Sequence, residues 1–516
     1  MMKRLDSSDS AMPASATPTS ETPTLAQLTT IGVGGSVDRF VEPKSEGEFI
    51  AAVRDADAAN LPLLVIGGGS NLLVGDEPFR GVVVRDKRHG ISVLDGVDAT
   101  DIDAADSVTN NVHSESDVAE GGNVNESIAD TKAIDSLIDM VETSDKGLVG
   151  TAETSCTTEA SDIVEIVADA GANWDDFVAF CVASGFSGVE GLSGVPGSVG
   201  ASVVQNIGAY GQEVASSVSS VRVFDRESDR ICRLDPNDMH FGYRSSALKS
   251  SMYSAPAMPA SRYFPTPRYV VLSVTFTLKR NETGEVAFGQ LAKALGVEVG
   301  ERMPIAAIRE AVLKVRALKG MLEDPSRYAS RWMQGCKDEH NLAKAVGTDK
   351  QTELGGNSKS DMRNMLNAQS MPDGHGSAEV SAVQDDADVK GRAESKPNFD
   401  RHSCGSFFMN PILGQQQAAK LPVDAPRFAA TLPDGKPGVK TSAAWLIDHA
   451  GFHKGYKVSP DAKAGLSTLH TLALTNRGGA QASDISELAR AVQNGVEAEF
   501  GIRLVPEPVV VGIDLR

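Results

Sequence analysis

An α+β fold is what this sequence predicts, on three observations. A capped helical stretch beginning at Ser45 leads into short apolar strands at 63–66 and 81–85. Strands then dominate the middle of the chain, at 163–168, 218–224 and 269–278, with one amphipathic helix among them. The last third returns to alternating helix and strand. With 516 residues, 41% of them hydrophobic, the chain can bury a substantial core and divide into more than one domain.

Residues 1–24 are rich in Ser, Thr, Pro and Ala and lack the continuous apolar stretch of a secretion signal, so they read as a disordered tail. Order begins at Leu25. Ser45 is placed as a helix N-cap with Glu48 three residues on, and Phe49, Ala52, Val53 and Ala56 recur at helical spacing. The apolar run 63–66, the turn 67–71 and the run 81–85 complete an α/β unit. Between about 96 and 160 there is no Phe, Tyr or Trp, and Asp, Ser, Thr, Asn and Gly prevail. Such a segment cannot offset its ordering entropy by burial, and its only regular feature is a short helical spacing around 133–141.

Pattern returns with the strand at 163–168 and a helix from Asn173 through Trp174, Phe177, Val178 and Phe180. A second structureless stretch covers 327–401, where Phe399 is the one aromatic residue between Gly335 and Asp400. From Ser403 onward we expect a helix at 443–450, a strand at 471–475, a helix at 483–500 and a closing strand at 504–513. The expected parts are therefore a tail at 1–24, a first folded part at 25–91, a second at 92–325 carrying the acidic insert, a disordered insert at 326–401, a C-terminal domain at 402–505 and a terminal strand at 506–516.

The formal charge of −20 is local: 16 acidic and two basic residues between Asp95 and Glu159 supply −14 of it. Nothing here suits nonspecific nucleic-acid binding. Cys156, Cys181, Cys232, Cys336 and Cys404 form no CxxC pair and no Cys/His grouping, so reduced thiols in the cytoplasm and no metal site are expected. No run approaches the ~20 apolar residues of a membrane span, and no obligate protein partner is evident.

Chemistry concentrates in two glycine-rich loops. Gly67, Gly68 and Gly69 follow a strand directly and precede Ser70, Asn71 and Leu72. Backbone N–H groups there can approach a pyrophosphate, with Ser70 and Asn71 adding donors. Taken alone, a plain turn explains the run equally, and its spacing is not the Rossmann fingerprint because no helix opens from it. The second loop holds Pro196, Gly197, Ser198, Gly200 and Ala201, followed by Gln205, Asn206, Ile207 and Gly208. Two such loops separated by scaffold can wrap a diphosphate from both sides, while Gln205 and Asn206 offer neutral hydrogen bonds suited to a flavin ring.

The order of these loops, of Phe241-Gly242-Tyr243-Arg244-Ser245-Ser246, of Arg316-Ala317-Leu318-Lys319, of Gly405-Ser406-Phe407-Phe408-Met409-Asn410-Pro411, of Ala444-Trp445-Leu446-Ile447-Asp448 and of Pro506-Glu507-Pro508 resembles the UDP-N-acetylenolpyruvoylglucosamine reductase family. The resemblance implies a two-part FAD-binding domain of the vanillyl-alcohol-oxidase type, joined to a C-terminal α/β substrate domain. It also implies FAD and NADPH as cofactors, a nucleotide-sugar substrate and a place in cell-wall synthesis.

By the same resemblance, Ser406 is the acid that protonates C2 of the substrate, Arg244 faces its carboxylate, and Glu507 is the carboxyl group that works beside Arg244. Lys319 and Asn410 match positions that hold the sugar diphosphate or orient the acid. Phe288 stands where related chains with a substrate-clamping loop usually place tyrosine, so stacking is kept and a hydroxyl contact is lost. The competing readings are another FAD-dependent oxidoreductase acting on a different small molecule, and a non-catalytic flavin or nucleotide-sugar binder. The Gly405–Phe408 and Pro506–Pro508 runs weigh against the first, and the joint presence of Arg244, Ser406 and Glu507 against the second.

The composition of the acidic insert carries a prediction. Deleting residues 98–159 is expected to leave soluble, yellow, FAD-loaded protein with turnover close to that of the full chain. Loss of bound flavin on deletion, measured by the ratio of visible to protein absorbance, would make the insert structural.

Overall fold

The computed structural model describes residues 22–94, 162–253, 265–338, 341, 398–432 and 434–515. Residues 1–21 of the tail, the acidic insert with its helical spacing at 133–141, and most of the second insert lie outside the described residues, whereas Thr24 of the expected tail caps helix Leu25–Leu28.

The first folded part is a parallel sheet of three strands, Val37–Val41, Phe79–Arg85 and Leu63–Ile66, with Phe79–Arg85 in the middle. Helix Glu46–Ala58 covers it, burying the predicted Phe49, Ala52, Val53 and Ala56. The Ser45 side chain accepts from Glu48 N at 3.2 Å, as the capping pattern requires. On this helix-covered face Leu63, Val82 and Val84 share one apolar cluster with Phe224, Val270 and Leu272 of the next sheet.

The second part is built on the strand Tyr269–Arg280, flanked by Val218–Asp225 and Ile163–Asp169, all antiparallel. Arg230–Leu234 and Ile91–Leu94 form its edges, and Phe186–Ser187 pairs with the far end of the central strand. Alternation along Ile163–Asp169 buries Val164, Ile166 and Ala168 on one face. Helix Trp174–Ala183, capped by Asn173, lays Trp174 and Phe177 against Phe276, with ring centroids 4.5–6.0 Å apart.

The C-terminal core collects helices Ala443–His449 and Ala482–Phe500 around the hairpin of Ala464–Leu466 and Leu474–Asn476. Asp76, from the first part, accepts from Ala482 N at 2.7 Å and Ser483 N at 3.1 Å at the start of the long helix. No helix among the described residues is long and apolar enough to cross a membrane.

Three expectations change. The strand expected at 471–475 forms only at Leu474–Asn476, because Thr471–Ala473 close a turn in which Leu472 N donates to His470 Nδ1 at 3.2 Å. The closing strand expected at 504–513 shortens to Val509–Val511, since Pro506 and Pro508 have no N–H to continue a ladder. The insert expected from 326 begins later: residues 326–338 are folded against the first sheet. There Arg327 Nη2 donates to Leu28 O at 2.7 Å and also to Gly68 O, while Arg85 Nη1 donates to Met333 Sδ at 2.7 Å.

Arg88 ties the layers together. Its guanidinium meets Asp86 Oδ2 at 2.7 Å, Asp169 Oδ1 at 3.5 Å and Glu46 Oε2 at 3.5 Å, and it donates to Leu272 O at 2.9 Å. Burial pushes the Asp86 carboxyl up from its ordinary value, and hydrogen bonds from Arg88 pull the other way. Arg88→Ala strands that carboxylate, so the variant is expected to lose ~3 to 5 kcal/mol of unfolding free energy. Urea denaturation followed by fluorescence measures it; a loss within about 0.5 kcal/mol would show that the network is idle.

Candidate active site

The two glycine loops meet backbone to backbone. A Cβ on Gly67 would lie 2.3 Å from Ser198 Oγ, and one on Gly68 2.9 Å from Gly197 Cα. Gly69 has φ +67° and its Cβ would lie 2.1 Å from Leu28 O, so no side chain is tolerated there. Ser70 Oγ donates to Pro196 O at 3.0 Å and joins the loops from the other side. Ser198 caps helix Val199–Gln205 through Ala201 N, and Gly200 lets that helix approach Ala170.

A cavity opens on each side of this junction. One is walled by 67–72, Gly200, Ala201 and the apolar residues Phe49, Leu64 and Val271. The other is walled by Ser70, Asn71, Pro196, Gly197, Ser198, Gln205, Ile207 and Gly208, together with Arg244, Ser406 and Glu507. The residues present fit a flavin dinucleotide: closely apposed glycine backbones for the phosphates, amide side chains at Asn71 and Gln205 for a polar ring, and Ser70, Asn71 and Gln205 lining both cavities.

Arg244 sits in a tight turn in which Gly242 N donates to Ser245 O at 3.0 Å, and its own φ is +54°, strained for a residue with a Cβ. Its guanidinium donates to Gly208 O at 2.6 Å, Asn206 O at 3.3 Å and Glu507 Oε1 at 3.1 Å. Asn206, also at positive φ as the cap of helix Val199–Gln205, donates to Gly242 O at 2.8 Å and so anchors that turn. Glu507 Oε1 receives a second donor, Gln205 Nε2, at 3.2 Å.

The segments that carry Ser406 and Glu507 meet in a short antiparallel bridge. Glu507 N donates to Phe407 O at 2.9 Å, Met409 N to Val505 O at 2.9 Å, and Phe408 pairs with Pro506. Gly405, at φ +74°, makes the turn before Ser406. Cys404 is buried and donates to Leu72 O at 3.3 Å; burial pushes its thiol up to about 12, which suits an inert structural role.

The remaining expected residues stand apart from that wall. Asn410 Oδ1 accepts from Ala443 N at 2.9 Å, and its N–H donates to the Tyr243 hydroxyl at 3.4 Å. Lys319 Nζ donates to Gln290 Oε1 at 2.8 Å, and Phe288 meets the Tyr210 ring edge-on at 5.9 Å. Burial, followed by the nearby Arg316 and Lys454 charges, lowers the Lys319 pKa. Burial, then Lys319 and Lys454, holds His470 down at about 4. Lys319, Lys454 and His470 thus crowd together as a basic patch.

Two lysines escaped the sequence analysis. Lys454 follows a helix in a polar loop and looks like any solvated lysine. Lys249 is the third residue of helix Ala247–Ser251, capped by Ser246, and its Nζ donates to Gln205 Oε1 at 2.7 Å and to Arg244 O and Glu507 O at 3.3 Å. Its signal was a cap three residues upstream within the Arg244 motif.

Residues 37–100 and 159–235 match the FAD binding domain family, and residues 396–511 match the C-terminal domain of UDP-N-acetylenolpyruvoylglucosamine reductase. The UDP-N-acetylenolpyruvoylglucosamine reductase of Thermobifida fusca is 35% identical over 95% of this chain and 97% of its own length. Its counterparts in Cutibacterium acnes and Nocardia farcinica are each 34% identical over 95% of this chain and 89% of their own lengths. The FAD binding domain match falls in two segments with one glycine loop in each, and the chain belongs to the UDP-N-acetylenolpyruvoylglucosamine reductase family.

Proposed function

We propose that this chain reduces the enolpyruvyl group of UDP-N-acetylglucosamine enolpyruvate to the lactyl ether, giving UDP-N-acetylmuramate for peptidoglycan synthesis in the cytoplasm, and that Arg244, Glu507 and Ser406 act on the reacting group. The observation that carries this reading is that Arg244, Glu507 and Ser406 line one cavity together with residues of both glycine loops.

Gly67 to Leu72 and the run from Pro196 to Gly208 would hold FAD, which when bound would supply the redox chemistry, carrying reducing equivalents from NADPH as hydride to C3 of the enolpyruvyl group. Negative charge then develops on the substrate carboxylate. Arg244 meets it with a guanidinium already fixed by two backbone carbonyls and Glu507, so little reorganisation is needed. Ser406, carried one residue before the Phe407 carbonyl that accepts from Glu507 N, gives its proton to C2. A serine hydroxyl is a weak acid, but the carbanion-like carbon is a strong enough base to take its proton. Lys319 and Lys454 neutralise the diphosphate, and Phe288 covers the nucleotide end with its exposed ring.

Ser406→Ala is expected to leave NADPH reduction of the flavin unchanged and to slow flavin reoxidation by substrate by ~10²- to 10⁴-fold. Ser406→Cys retains part of the rate, because a thiol donates from a similar place. Stopped-flow absorbance run separately for each half-reaction checks this; an alanine variant slowed only in reduction by NADPH sinks the assignment. Arg244→Lys is expected to slow the same reoxidation step by a different route, since an ammonium cannot grip a carboxylate bidentately. A full rate of reoxidation in that variant would remove Arg244 from the reacting end.

A further inference from the structure

Lys249 is a charged side chain that the proposed chemistry does not use, yet it lies one hydrogen bond behind it. Its Nζ donates to Gln205 Oε1 at 2.7 Å, and Gln205 Nε2 in turn donates to Glu507 Oε1 at 3.2 Å. An ammonium only donates, whereas a carboxamide has one accepting and one donating end. The reversed amide would set its N–H₂ against the ammonium and its C=O against the carboxyl oxygen, losing both hydrogen bonds. The orientation of Gln205 is therefore fixed by Lys249. Two further bonds, to Arg244 O and Glu507 O at 3.3 Å each, make Lys249 a brace between the Arg244 turn and the C-terminal segment.

We infer that Lys249 is a positioning residue of the reaction: it locks Gln205 with its N–H₂ toward Glu507 and so fixes the carboxyl group that stands beside Arg244. The inference rests on the proposed role of Glu507 at the substrate carboxylate. Lys249 touches no reacting atom in this scheme and acts through Gln205.

The lock is chemically specific, because a neutral amine accepts as well as donates and no longer dictates which end of the amide faces it. Burial pushes the Lys249 pKa down to about 8; Glu507 opposes the shift and Arg244 adds to it. These two are the charged groups that face it, one from the C-terminal segment and one from the turn, while helix Val199–Gln205 presents the uncharged Gln205. The folded-state value lies below the ordinary 10.5, so the ammonium is present below about pH 8 and is lost as pH rises through it. The lock weakens over the same range.

The test uses the FAD-loaded full chain and follows flavin reoxidation by the enolpyruvyl sugar nucleotide from pH 6 to 10. In the unaltered chain the reoxidation rate is expected to fall above about pH 8. Lys249→Arg, cationic throughout, is expected to keep its rate across that range. Lys249→Met is expected to be slowed ~10- to 100-fold at pH 7, to lose the alkaline limb and to reduce its flavin with NADPH normally, and its effect should not add to that of Gln205→Met. Flavin absorbance of the purified variants checks that the cofactor site is intact. If Lys249→Met does not fold, the pH profile of the arginine variant decides alone. An alkaline limb that persists in Lys249→Arg, or a methionine variant reoxidised at the normal rate, overturns the inference. Normal reoxidation in Glu507→Gln would instead overturn the proposed function of Glu507.

Discussion

The parallel pairing of Leu72–Val74 with Val509–Val511 is the constraint on which the rest of the site depends. It places the last strand of the chain directly after the first glycine loop. Val509 N donates to Asn71 O at 3.0 Å on that side, and Glu507 N donates to Phe407 O at 2.9 Å on the other. The prolines at 506 and 508 bring no N–H, so the segment carries no donor left over between its two neighbours. A single carboxyl group, Glu507, is thereby held between the cofactor loop and the turn that carries Ser406. Because the pairing joins residues more than four hundred positions apart, the site exists only once the whole fold has closed, and a slow, late assembly follows from that contact order.

Once brought there, Glu507 and Arg244 lie in a sheltered place, with side-chain exposures of 15% and 17%. Charges at that depth are costly unless each polar atom has a partner. The structure meets the demand with backbone carbonyls at Asn206 and Gly208, with the Gln205 amide and with Lys249 behind it. Such a network also explains two strained residues, Arg244 and Asn206, both at positive φ. Each turns the chain so that its polar groups face the network, and the hydrogen bond from Asn206 Nδ2 to Gly242 O links the two strains to one another.

Local pattern made much of the fold legible. Helices Glu46–Ala58, Trp174–Ala183 and Ala482–Phe500 and the strands Ile163–Asp169 and Tyr269–Arg280 follow from period and capping, because each buries a face that its own sequence defines. What the sequence concealed depends on distant partners. Residues 326–338 have the composition of a loop, and they are ordered by Arg327 reaching Leu28 and Gly68 and by Arg85 reaching Met333. The closing strand was overextended because apolar residues at 504–511 suggest continuity that two prolines interrupt. In the site, the glycine loops, Arg244, Ser406 and Glu507 were visible as motifs, whereas Lys249 and Lys454 were not. A lysine has no signature until its neighbours are known.

The cationic groups of the site differ in how they are balanced, and the difference separates binding from chemistry. Arg244 has acceptors at Asn206, Gly208 and Glu507, so its charge is compensated before any substrate arrives. Lys319 instead feels positive neighbours, and its proton affinity is lowered by burial and then by Arg316 and Lys454, while the adjacent His470, held down at about 4 by burial and by Lys319 and Lys454, is neutral near pH 7. An anion that enters among them relieves repulsion, which favours a diphosphate strongly. The diphosphate of the proposed substrate would keep the same charge from ground state to transition state, so its grip would be uniform binding and belong in KM. The charge that appears at the enolpyruvyl carboxylate exists only while the reaction proceeds. In the function proposed above, Arg244, Glu507 and Ser406 meet that transient charge, and interactions of this kind enter kcat. The fold thus divides its cations: the C-terminal domain and the helix ending at Leu318 supply the ones that hold, and the turn beside the glycine loops supplies the one that reacts to charge.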